Sequence, residues 1–161
     1  MSDVMRNSKN RSGERGVEVV EAAFSLLVFL VLLFGLVEFA RAVDAYDFVS
    51  GAARQATRWA SVRGNNCSPT LSGCKATNAN VQSYVQSLAP GGINTSQITT
   101  TTTWPQNPPN CPATPSNAPL CDVKVKVSYN FSFVTLSSNI PFLSGLGNFT
   151  MSSTSDMIIS Q

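Results

Sequence analysis

Not one histidine occurs in the 161 residues. Its absence removes the commonest general base and the commonest metal ligand together. No serine stands in a G-x-S-x-G elbow, and the "GLG" at 145–147 lacks the further glycine and following helix of a dinucleotide loop. The four cysteines, Cys67, Cys74, Cys111 and Cys121, are spaced C-x6-C and C-x9-C, neither of which is a zinc pattern. No basic stripe with interleaved aromatics is present, so nucleic acid is not an expected partner. Asn94, Asn130 and Asn148 open N-x-S/T triplets, read here as chance matches. The expectation is a protein that is not an enzyme, with no cofactor, no metal and no small-molecule substrate.

Charge is also scarce, at 12% of residues, and the formal net charge is +2. Residues 1–16 carry Arg6, Lys9, Arg11 and Arg15 against Asp3 and Glu14, and the remaining chain holds seven basic and seven acidic side chains. The excess therefore belongs to the leader. Between Ala22 and Val37 lie sixteen consecutive uncharged residues, mostly large and apolar. As a helix this run covers about 24 Å, and flanking Val17, Val19, Val20 and Phe39 to Val43 extend it toward the ~30 Å hydrocarbon core. Lys and Arg concentrate before the run, which predicts an N-terminus in the cytoplasm and a translocated C-terminus. The cysteines all lie on the translocated side, where oxidised pairs are expected. Three pairings are open; short loop closure favours Cys67–Cys74 and Cys111–Cys121, with free thiols as the alternative in a reducing compartment.

Beyond the run the helical pattern continues. Ala45, Phe48, Val49, Ala52, Ala53, Ala56, Trp59 and Ala60 fall on one face, with Asp47, Arg54 and Arg58 opposite. Gly51 weakens the middle by about 1 kcal/mol and invites a local bend. One helix is predicted from about Val17 to Arg63, roughly 70 Å long, with residues 1–16 disordered. A short helix follows near Asn78 to Leu88, then a strand from Ile98 to Trp104 and a Pro-rich loop from Trp104 to Cys121. Asp122 to Val134 alternates most clearly: Val123, Val125, Val127, Tyr129, Phe131 and Phe133 take one face, Lys124, Lys126, Ser128, Asn130 and Ser132 the other. "IPFLSGLGN" is read as a loop and Phe149 to Ile159 as a last strand. The fold class is α+β: a long membrane-spanning N-terminal helix packed on a small antiparallel sheet, in a single-pass membrane protein. The expected organisation is a cytoplasmic leader (1–16), a transmembrane helix (17–43), an amphipathic continuation (44–64) and an extracytoplasmic α+β domain (65–161).

Charged residues at the mouths of the apolar run are the sharpest feature. Glu21 stands directly before it, five residues after Gly16. An ionisable group at the edge of a span is a functional candidate, while the bland reading is a carboxylate favoured near a helix N-terminus. Gly16, Val17 and Glu21, followed by the apolar helix, resemble the processing site of type IV prepilins and pseudopilins. "FGLVEFARAVDAYDFVSGAARQATRWASVRG", Phe34 to Gly64, resembles the core of the TadE-like family of tight-adherence pilus systems. The residues that carry this second likeness are Glu38, Phe39, Ala40 and Arg41, then Ala52, Ala53, Arg54, Arg58, Ala60, Arg63 and Gly64. Ala22 and "SLLVF" depart from the aromatic and the proline common there.

The resemblance implies a pilin-like minor pilin or pseudopilin of the bacterial inner membrane with a periplasmic C-terminal domain, open to incorporation into an extracellular pilus. It implies a prepilin peptidase that cuts between Gly16 and Val17, and pairing of Glu21 with the freed amine of Val17 in a neighbouring subunit. Expected partners are membrane lipid, other pilins or pseudopilins and the pilus assembly platform. Two alternatives stand beside it: an uncleaved signal-anchored binding or adhesion protein, and a secreted protein cut after Ala42 at the Ala40-Arg41-Ala42 pattern.

Overall fold

The computed structural model describes residues 3–67, 74–105, 111, 117–133 and 148–160, and side chains from residue 16 onward. Two compact units divide the chain, Met1–Ala40 and Arg41–Gln161. Helix α1, Asp3–Ser61, contributes to both. It is followed by α2 (Asn78–Ser87), a single 3-10 turn (Thr95–Gln97) and strands β1 (Ile98–Thr103), β2 (Asp122–Ser132) and β3 (Asn148–Ile158). The three strands form one antiparallel sheet in the order β1-β2-β3. The predicted α+β architecture, a long apolar helix plus a small antiparallel sheet, is therefore observed.

The first unit is helical from Asp3, where the sequence pattern predicted disorder to residue 16. Helix growth is cheap once a nucleus exists, and Met, Arg, Lys and Glu are good helix formers. The apolar segment thus propagates its helix backward through Gly13 and Gly16, each of which costs only about 1 kcal/mol. From Val17 to Val37 every side chain is exposed, including Phe24, Phe29 and Phe34. Residues 16–61 form a helix long and apolar enough to cross a membrane. In water such a surface is untenable; in lipid it needs no partner.

The second unit is built around the last third of α1. Ala45, Val49, Ala52, Ala53, Ala56 and Ala60 are buried in one core cluster with Val123, Val125, Val127, Tyr129 and Phe131 of β2. The alanine methyls contribute to this core. The valines at 123, 125 and 127 are wholly buried, each contributing about 1.5–3 kcal/mol of apolar burial. The β2 alternation has a dry face against α1 and a wet face carrying Lys124, Lys126 and Asn130. Phe133 lies just past the end of β2 and is half-buried, where the sequence pattern placed it in the strand. α1 runs unbroken through Gly51, around which a Cβ would meet open space.

Helix ends follow local chemistry. Thr77 caps α2 by accepting from the Asn80 N–H at 3.2 Å. Pro90 and Gly92, at φ 100°, turn the chain away after α2. Cys67 is paired with Cys74 and Cys111 with Cys121. Most of the Pro-rich loop and the whole of 140–147 lie outside the described residues.

Strand β1 has side-chain partners for part of its open edge, and β3 is tied to α1. The Gln82 amide donates to the Ile98 carbonyl at 2.8 Å and accepts from the Thr100 N–H at 2.6 Å. Asn78 accepts from the Thr102 N–H at 3.2 Å. Two amide side chains of α2 thus occupy backbone groups that a further strand would otherwise claim. On β3, the Thr57 hydroxyl of α1 is shared between the carbonyls of Ala53 (2.8 Å) and Ser155 (3.2 Å). The Ser160 N–H donates to the Ser61 carbonyl at 3.0 Å.

Candidate processing and assembly site

Gly16, Val17 and Glu21 all lie within α1. The sequence pattern put Gly16 just before a helix start; the helix instead passes through it, and a Cβ there would meet nothing within 4 Å. Val17 is 68% exposed, and Glu18 and Glu21 are exposed as well. Val17 and Glu21 are four residues apart, so they share a helix face. Among the described residues Glu21 makes no ion pair.

The residues after the span divide into three groups. Glu38 is buried at 5% exposure, whereas Phe39 beside it is 68% exposed. Arg41 places its guanidinium 5.5 Å from the centre of the Phe131 ring. Together with Asp44, Tyr129 and Phe131 it lines an open cleft of about 150 Å³. Arg54 and Arg58 point to solvent and touch no site, although Arg58 lies in the last turn of α1, where a cation suits the helix dipole.

Arg63 and Gly64 hold the end of the helix. The Arg63 guanidinium lies 4.1 Å over the Trp59 ring and donates to the Trp59 carbonyl at 3.2 Å. Trp59 in turn stacks on Tyr84 of α2, with centroids 5.2 Å apart. The Arg63 carbonyl accepts from Ala76 N–H at 2.8 Å, and the buried Gly64 offers its carbonyl to Cys67 N–H. This ladder fastens α2 and the first cysteine pair to the helix end. Thr57, Gln82 and Asn78 were missed by sequence reasoning. Thr57 left a signal, a lone hydroxyl on the alanine stripe; the amides left none.

Among the described residues no three His, Cys, Asp or Glu side chains gather in a metal-binding group. The architecture defines a class: a membrane-anchored α+β protein with, among the described residues, one long apolar helix and a small antiparallel sheet. Within that class the chain has a recognisable segment, for residues 16–58 match the TadE family model, described as TadE-like protein. The likeness drawn from Gly16 to Gly64 is thereby shown over those residues. The match points to a pilin-like component related to tight-adherence pili, structural in kind, working with other pilus components at a membrane. No curated protein and no solved structure matches the chain.

Proposed function

We propose that the protein is a minor pilin or pseudopilin of a tight-adherence pilus or related secretion assembly. A prepilin peptidase releases residues 1–16 at the cytoplasmic face of the bacterial inner membrane, and the domain beyond residue 43 lies in the periplasm. Glu21 then takes the new amine of Val17 in an adjacent subunit as its counter-charge. Apolar helices of neighbouring subunits pack with it, and the assembly platform adds the subunit to the fibre or its base. The protein catalyses nothing; its role is assembly.

The observation that carries this reading is the TadE-like match over residues 16–58, which begins at Gly16 itself. Gly16 in helix interior is compatible with cleavage, because glycine lowers the cost of unwinding a turn by about 1 kcal/mol. The test is co-purification of Glu21→Ala with the other pilins from membranes. The variant is expected to stay membrane-bound and lose co-assembly, and undiminished co-assembly would refute the pairing. The continuous helix across Gly16 favours one second reading, an uncleaved anchor, which retention of Met1 or of the leader would establish.

A further inference from the structure

At one end of the sheet three phenylalanines meet. Phe131 lies 5.2 Å from Phe133 and 5.2 Å from Phe149, and Phe133 lies 5.7 Å from Phe149, all between ring centroids. Phe131 is buried, Phe133 half-buried, and Phe149 is 41% exposed. Arg41, within the same compact unit, covers the Phe131 ring. We propose that this end of the sheet rests on the membrane, with Phe149 and Phe133 in the lipid interface on the side where the chain leaves the bilayer.

Two observations support lipid as the occupant. Chain continuity is the first. Arg41 is four residues past Val37, the last of the uncharged run, or about 6 Å along a helix. The polar layer on each side of the hydrocarbon core is about 5–7 Å deep, so Arg41 falls in the headgroup zone and its aromatic neighbours lie beside that zone. Arginine above and aromatic rings at the boundary are the side chains that this layer accommodates best.

Charge distribution is the second, and it is independent of the rings. Every residue from Val127 to Ser155 is uncharged. The charges of the sheet, Asp122, Lys124, Lys126 and Asp156, lie in its other half, where Lys124 pairs in register with Asp156 and Lys126 with Thr154. Toward the phenylalanines the wet face carries only small polar groups, with Thr150 donating to Asn130 at 2.6 Å and Ser132 opposite Asn148. Hydroxyls and amides are tolerated at a lipid interface, whereas fixed charges among the rings would oppose it.

The proposal rests on residues 22–37 being a span, and the experiment separates the two. The full wild-type chain, isotope-labelled, is placed singly in phosphatidylcholine nanodiscs, and amide signals are compared with and without doxyl-labelled phosphatidylcholine. The amides of Phe133, Phe149 and Thr150 are expected to lose intensity by about twofold or more, while Thr103 and Met157 at the far end keep theirs. Equal attenuation at both ends, or none at Phe149 while Val28 to Leu33 are broadened, overturns the proposal. So does broadening at Phe149 that appears only when two copies share a disc, because a second copy is then the occupant. Unbroadened signals from Val28 to Leu33 would show instead that the span reading has failed.

Discussion

Replacing Gln82 by Ala tests whether the α2 amides hold the β1 edge. The side chain makes two hydrogen bonds, 2.8 Å to the Ile98 carbonyl and 2.6 Å from the Thr100 N–H. Each is worth about 0.5–1.5 kcal/mol net, so their joint loss costs about 1–3 kcal/mol. Alanine returns a few tenths of a kcal/mol as the better helix former, leaving about 1–2.5 kcal/mol of destabilisation. Water can reach the half-buried site, which places the outcome nearer the lower end. Urea unfolding of the oxidised full chain in detergent, followed by tyrosine and tryptophan fluorescence, reads the global loss. Amide exchange reads it locally: Thr100 should exchange about tenfold faster or more, while Val125 changes only with global stability. Gln82→Glu keeps an acceptor for Thr100 but sets a carboxylate against the Ile98 carbonyl, so it should not restore stability. Unaltered unfolding together with unaltered Thr100 exchange in Gln82→Ala would refute the edge-capping account.

Overpacking the helix–sheet seam should cost more: Ala53→Leu or Ala56→Leu, at two wholly buried positions, should lose about 1–3 kcal/mol or more in the same unfolding assay. Leu120 is 54% exposed with φ at 72°, so Leu120→Asn should raise stability by up to about 1 kcal/mol, read as a higher urea midpoint at constant slope. Gly51→Ala, whose new methyl meets open space, should raise it by about 0.5–1 kcal/mol.

The parts of the fold that sequence made legible are those whose pattern repeats at one period. The alternation from Val123 to Phe131 and the alanine stripe from Ala45 to Ala60 each name their buried face residue by residue, because burial is read off pitch alone. Boundaries were less legible. The helix begins at Asp3 because propagation from a strong apolar nucleus overrides weak local preference, and residues 3–16 carry no periodicity to announce it. Strand β3 was placed within a residue of its observed ends, yet its partner Thr57 depends on how α1 crosses the sheet. The amides of Gln82 and Asn78 look like any polar residues on a short helix. Only the approach of α2 to β1 gives them a task. At the candidate site, Arg41 and Arg63 were named from the resemblance, but their aromatic partners Phe131 and Trp59 come from tertiary contact. Arg54 and Arg58, named on the same ground, stand in solvent.

The central claim concerns the threshold of the span, and the N-terminal residue and intact mass of the chain extracted from its native membranes test it most directly. The account predicts a chain that begins at Val17 with both cysteine pairs oxidised. A chain that begins at Met1, or at Val43 after secretion, would contradict it.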